Sequence, residues 1–176
     1  LYTIAKEQEA DIVVSDYYEE YPQKTIMRSK DDDSIIVLNR KETLLLTFQN
    51  KIASYLWSML IRRDIAQERF APYRAFEDYA TVFAWMRHVN KAVMLHTPLY
   101  HYRQSANSCL HNNMKQNLID WINATITRYE LIKGTPFMQE NTSQINAAYI
   151  CSLVKGVKDV VRSPYDNRFK QSLLKK

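Results

Sequence analysis

The sequence predicts an α/β chain that passes into a helical second part, helix-rich taken as a whole. Three observations carry this. Residues 10–18 form an apolar, β-branched run typical of a buried strand in an α/β sheet. Segments of strand and helix character then alternate as far as about residue 111. From residue 113 onward apolar residues recur at helical spacing. There is no internal repeat and no low-complexity stretch.

The elements follow in order. Residues 1–9 read as the end of a helix, with Leu1, Ile4 and Ala5 on one face. The strand of residues 10–18 comes next, and Pro22 ends it. Residues 24–28 and 34–38 are short strand candidates that would pair with each other around Asp31-Asp32-Asp33 as a turn. Residues 41–50 read as a helix and residues 52–63 as a second apolar segment around Trp57. After Pro72, a helix over residues 77–88 puts Tyr79, Phe83 and Met86 on one stripe. Residues 91–103 return as a strand interrupted by Pro98.

In the last part Met114, Leu118, Trp121, Thr125, Tyr129 and Ile132 keep helical spacing, as do Ile145, Tyr149, Leu153, Val157 and Val160. Gly134-Thr135-Pro136 separates these two helices as a stop signal. A final amphipathic piece sets Tyr165, Phe169 and Leu173 on one side, with Arg168, Lys170, Lys175 and Lys176 elsewhere. The expected division is an α/β part over residues 1–111 and a basic helical extension over residues 112–176.

Composition narrows the function classes. With 176 residues, 46% of them hydrophobic and 12% aromatic, the chain can bury a core. No run of about 18 apolar residues is present to cross a membrane, and no basic-then-apolar leader marks secretion. Cys109 and Cys151 lie far apart without CxxC spacing, and no Cys/His cluster suggests zinc; reduced cysteines in a cytoplasm are expected. The only glycines, Gly134 and Gly156, fall in helical territory, so no glycine-rich phosphate loop can be built. The net charge of +5 is uneven: residues 1–112 carry fourteen basic and fourteen acidic residues, residues 113–176 ten and five. A basic half points to a polyanionic surface, membrane or nucleic acid, or simply to a soluble basic helical face.

Two short motifs carry chemistry. In Phe76-Glu77-Asp78-Tyr79, two carboxylates stand at the start of a predicted helix, where the helix dipole favours an ionised group suited to general-base work. Adjacent helical residues point about 100° apart, so only one need face a cleft. Acids in a first helical turn are also common without any function. In Tyr100-His101-Tyr102-Arg103, a strand sets the two tyrosines on one face and His101 with Arg103 on the other. An Arg beside a His near a strand end can meet phosphate or sugar oxygens, or the segment is a half-exposed strand with aromatic packing. Asn107-Ser108 beyond it reads as turn chemistry. Asp31-Asp32-Asp33 is read as a solvated turn in preference to a metal site.

In order and spacing the chain resembles the bacterial family 2 glycosyltransferases of GT-A fold. The carrying segments are Leu1-Tyr2 to Ala5, Ala10-Asp11-Ile12-Val13-Val14-Ser15-Asp16-Tyr17, Leu56-Trp57-Ser58-Met59-Leu60-Ile61-Arg62-Arg63, Phe70, Phe76-Glu77-Asp78-Tyr79, Pro98-Leu99-Tyr100-His101-Tyr102-Arg103-Gln104 and Ser108. The resemblance covers residues 1–111, and implies the C-terminal, acceptor-side half of a GT-A Rossmann-like fold. It implies inverting, hexosyltransferase-type transfer from a nucleotide-diphosphate sugar to an acceptor hydroxyl, in bacterial surface polysaccharide synthesis. Asp78 would be the catalytic base, with Glu77, His101 and Arg103 binding acceptor or substrate. The family's Asp-x-Asp motif lies upstream of the helix that ends here near Ala10. The divalent cation expected in the parent enzyme, magnesium or manganese, therefore has no ligands in this chain. Met59 stands where the family often has Lys. The chain reads as a fragment, inactive by itself.

The implied partners are a nucleotide-sugar donor and a glycan or lipid-linked acceptor, and no nucleic acid. The implied location is cytoplasmic, with the basic helices against the anionic inner face of the membrane as a further expectation. The alternative is a basic helical nucleic-acid-binding or non-catalytic interaction module, although Asp120, Glu130, Glu140, Asp159 and Asp166 dilute the basic half.

Overall fold

A computed structural model gives the fold, and it describes residues 1–29, 34–105 and 114–175. Asp31-Asp32-Asp33, Asn107-Ser108, Cys109, the 111/112 boundary and Lys176 lie outside them. The molecule is mixed α/β, with one curled five-stranded sheet and seven helices among the described residues.

Helix α1 (Tyr2–Glu7) leads into the long strand β1 (Ile12–Tyr21). A two-residue Pro22-Gln23 turn returns the chain as β2 (Lys24–Arg28), antiparallel to β1, with Tyr21 opposite Lys24. Strand β3 (Ile35–Asn39) does not pair with β2 as the sequence suggested. It runs antiparallel to β5 (Lys91–Arg103) instead, with Val37 opposite Val93. The two segments are alike in length and character, and local sequence says nothing about which distant strand each one meets. Strand β4 (Met59–Ile61) follows a 3-10 turn at Leu56–Ser58 and pairs antiparallel with the start of β1. The sheet order is β2-β1-β5-β3, with β4 and β2 sharing the outer edge of β1.

Strands β1 and β5 are parallel from Ile12/Ala92 to Glu20/Arg103. Pro98 bulges this ladder without interrupting the strand. Ser15 is opposite Leu95, Asp16 opposite Pro98 and Tyr17 opposite Tyr100. Proline has no N–H to give the ladder, and the register shift absorbs the missing bond.

The pleat divides the core into two layers. Ile12, Val14 and Ala92 pack with Phe48, Val82, Phe83 and Met86 from helices α2 (Arg40–Phe48) and α3 (Glu77–Met86). Val13, Val93 and Leu95 face the other way, under Leu1, Ile4 and Ala5 of α1. Asn39 opens α2 with a reciprocal capping box to Glu42. Buried Asp11 ties the sheet's lower end together, accepting from the backbone N–H groups of Asn90 and Lys91 and pairing with Arg62.

Helices α4 (Met114–Glu130), α5 (Pro136–Glu140), α6 (Thr142–Arg162) and α7 (Asn167–Leu174) form the second part. Gly134 takes φ +76 after α4, Thr135 caps α5 and Pro136 sits at its first position. The core is continuous across the change in architecture, since Ile132 and Ile145 belong to the same cluster as Ile12 and Phe83. The buried face of α6 is rotated from the expected one: it runs through Ile145, Ser152, Gly156 and Val160, while Val157 is exposed. Gly156 lies against Trp121 of α4, and a Cβ there would come within 2.9 Å of the indole.

Among the described residues no helix is long and apolar enough to cross a membrane.

Candidate functional site

Asp78 sits in the first turn of α3 and is half-buried. Burial raises its carboxyl from 3.8 to about 6; the neighbouring Glu77 adds to the rise, and the Tyr79 N–H, donating to Asp78 Oδ1 at 2.7 Å, opposes it. A carboxyl poised there passes from acid to base near neutral pH. Glu77, beside it and also half-buried, is anchored through its carbonyl, which accepts from the Thr81 hydroxyl at 2.6 Å.

The turn that aims these acids is built from distant parts of the chain. Phe76, the residue before Glu77, takes a left-handed φ of 60 that non-glycine residues seldom adopt. Trp121 of α4 meets its ring edge to face at 5.1 Å and stacks on Tyr79 at 5.0 Å. Buried Asp120 accepts from the N–H groups of Arg74 and Ala75, both at 3.1 Å. Tyr73 shares a 2.7 Å hydrogen bond with Thr127. Two side chains of α4, Asp120 and Thr127, together with the Trp121 indole thus fix the loop that delivers Glu77 and Asp78.

Across from α3, five aromatic side chains meet at the far ends of β1 and β5. Trp57 stacks on Tyr55 at 4.9 Å, on Tyr100 at 4.4 Å and on Tyr102 at 5.2 Å; Tyr17 meets it edge-on at 5.0 Å. Burial lifts the Tyr17 phenol to about 12 and raises that of Tyr102. Asp78 is among the negative charges contributing to the Tyr102 rise, which puts its carboxyl within electrostatic reach of this cluster.

His101 and Arg103 lie on the opposite face of β5. His101 stacks on Tyr18 at 4.7 Å, and its Nδ1 is 2.6 Å from Glu20 Oε1. Hydrogen bonds from Thr25 and His101 lower the Glu20 carboxyl, and the charge of exposed Arg103 adds a little to this. The four residues singled out in the sequence therefore divide in two. The Asp78 carboxyl acts electrostatically on Tyr102, with Glu77 beside it on α3; His101 and Arg103 act on Glu20.

Sequence reasoning missed the Trp57 cluster: Tyr100 and Tyr102 share a strand face, but Tyr55 and Trp57 belong to the 3-10 turn at Leu56–Ser58 and its cap, which no local spacing brings against that face. It also missed buried His96, whose Nδ1 is 2.9 Å from Asp16 Oδ2 and whose Nε2 has no hydrogen-bond partner among the described residues. A cavity of about 550 Å³ lies away from Asp78, bordered by Tyr2, Lys6, Asp11 and Arg62.

No protein-family model matches the chain, and no curated protein matches it. For the divalent cation the resemblance implies, no group of three His, Cys, Asp or Glu side chains converges among the described residues.

Proposed function

We propose that the chain is the acceptor side of an inverting, GT-A-type glycosyltransferase of the family 2 kind, with Asp78 as its general base. The observation that carries the reading is the carboxyl itself, half-buried in the first turn of α3 and raised to about 6. At neutral pH such a group is mostly ionised yet still basic enough to accept a proton in the transition state.

In this reading Asp78 removes the proton of an acceptor hydroxyl as that oxygen attacks the anomeric carbon of the donor sugar. The C–O bond to the nucleotide diphosphate breaks as the new glycosidic bond forms on the opposite face, and the configuration inverts. Burial, with a smaller contribution from the Glu77 charge, holds the Asp78 carboxyl above its ordinary value, and Glu77 offers acceptor hydroxyls a second oxygen pair. The stacked rings of Trp57, Tyr100 and Tyr102 supply apolar surface for the C–H face of a sugar. His101 and Arg103 would act from the Glu20 side of β5, on a separate part of the substrate.

The donor's nucleotide and its metal belong to a preceding half of such an enzyme. The outer edge of β3, unpaired among the described residues and with Ile35, Ile36 and Val37 exposed, is where a larger sheet would continue, and it supports this division.

The test is glycosyl transfer by this chain joined to a nucleotide-sugar-binding half. Asp78→Asn is expected to lower kcat by a factor on the order of 10² or more, with the donor KM little changed. A variant retaining kcat within a few-fold of the parent would sink the assignment. The chain alone is expected to turn over no nucleotide sugar.

A further inference from the structure

The outer face of α6 is apolar where a solvent-facing helix is ordinarily polar. Ile150, Val154, Val157 and Val161 are 57%, 43%, 41% and 56% exposed. Steps of four, three and four residues put them in one stripe along about 16 Å of helix. The packed face of the same helix, through Ser152, Gly156 and Val160, is a different one.

A cationic border runs beside the stripe. Lys158, Arg162 and Lys155 follow at about 100° per residue on one flank of it. Lys155 pairs with Asp159 at 3.2 Å and sits 4.0 Å over the Trp121 ring; among the described residues no ion pair holds Lys158 or Arg162. The three cations line two adjoining grooves. One, of about 400 Å³, has Ile150 and Val154 in its wall. The other, of about 360 Å³, runs between α4 and α6 from Lys155 and Arg162 to Trp121 and Phe76. Phe76 is the residue that precedes Glu77 and Asp78.

We propose that this side of α6 docks on an anionic lipid bilayer, the aliphatic stripe entering the headgroup boundary and Lys155, Lys158 and Arg162 meeting lipid phosphates. A second copy of the chain fits the face poorly. Antiparallel pairing of two such stripes sets the Lys158 border of one copy beside that of the other, like charge against like. Four aliphatic side chains also fall well short of the roughly 800 Å² per partner that a stable protein interface buries. A bilayer needs no matching shape, and a narrow apolar stripe edged by cations is the pattern it binds. The docking stands on α6 alone. Its consequence, that a lipid-linked acceptor would approach Asp78 along the Phe76 groove, rests on the glycosyltransferase reading.

Co-sedimentation with phosphatidylcholine vesicles, with and without phosphatidylglycerol, tests it. Binding is expected only with phosphatidylglycerol, and is expected to weaken as salt rises. The pairs Val154→Asp with Val161→Asp, and Lys158→Glu with Arg162→Glu, are each expected to cut the bound fraction about tenfold or more. All four positions are exposed, so circular dichroism and the unfolding midpoint should stay at the wild-type values. Asp78→Asn should bind like the wild type, which separates failure of docking from failure of the catalytic assignment. The proposal is overturned if the wild type ignores anionic vesicles, binds phosphatidylcholine alone equally well, or binds undiminished with either pair of substitutions. A wild-type dimer dissolved by the aspartate pair would hand the stripe to self-association. Release by inorganic phosphate beyond that by chloride at equal ionic strength would reassign the border to a soluble anion.

Discussion

Asp78 holds its proton to about pH 6, where an unfolded chain releases it near 3.8. As the base of a transfer reaction it must be ionised, so kcat/KM should climb through about pH 6 and level off above it, a profile that Asp78→Asn abolishes. Stability runs the other way. Between about 4 and 6 the folded state keeps a proton that the unfolded state has lost, so raising the pH across that window weakens the fold, and the deficit persists above it. Asn removes the deficit. The side chain is only half-buried, so solvent screening trims the expected gain at pH 7 to about 1 kcal/mol, and below about pH 4 no gain is expected. Urea unfolding of both proteins at the two pH values measures this. Arg128 is the second residue whose environment decides its role. It counts among the ten basic residues of the C-terminal part, yet it is fully buried, and burial lowers it to about 10. Its guanidinium lies 3.8 Å from the centre of the Tyr79 ring and 4.8 Å from that of Phe83. It donates to the Thr47 carbonyl and to Asn50 Oδ1, closing the end of α2. Arg128→Ala should therefore cost about 3 kcal/mol or more, through a cavity and unpaired acceptors, whereas Arg128→Met, which refills the space among the rings, should cost less. Denaturant midpoints at neutral pH would show the order.

At the scale of elements, Gly156 makes a prediction opposite in sign to the usual one. Replacing a mid-helix glycine by alanine ordinarily stabilises by about 1 kcal/mol. Here the new methyl would sit 2.9 Å from Trp121 Cδ1, and the indole has little freedom to retreat. It stacks on Tyr79, meets Phe76, lies under Lys155 and donates to the Ser152 carbonyl at 3.0 Å. Gly156→Ala is expected to destabilise by about 1–3 kcal/mol through overpacking, and to shift the near-ultraviolet signal of Trp121. Much of this layer was legible. The β-branched run of β1, the acids opening α3 and the Gly134-Thr135-Pro136 stop are local signals, and each stands where the sequence puts it. What was not legible is non-local. The choice of β1 by β2, and of β5 by β3, depends on pairings across tens of residues. The buried face of α6 was missed because that helix carries apolar residues on two sides, and only close approach to Trp121 selects the one with glycine. The candidate site divides along the same line. Two adjacent acids at a helix start could be read directly; the desolvation of Asp78 comes from the rest of the fold, and the loop that aims both acids is held by Asp120, more than forty residues further on.

At the scale of the whole molecule the sheet has an open side among the described residues. Among the described residues strand β3 is paired only with β5, and Ile35 and Val37 project from it half-exposed on the face that also carries Val93. An edge of β-branched residues whose outer N–H and C=O groups meet no strand among the described residues is a template for another strand, from a neighbouring domain or from another molecule. Short, charged or bulged edges prevent this elsewhere, but among the described residues of β3 there is no charge. The isolated chain should therefore self-associate through β3 at concentrations where its folding is otherwise sound. Val37→Lys places a charge on the exposed flank, where the buried Leu38 is left untouched, and it should cost under about 1 kcal/mol. Light scattering against concentration is the measurement. The substituted chain should stay monomeric where the parent grows, with both unfolding at nearly the same urea concentration. If scattering is unchanged by Val37→Lys but falls with Val154→Asp and Val161→Asp, then α6 rather than the sheet edge holds the copies together, and the bilayer assignment of that helix fails with it.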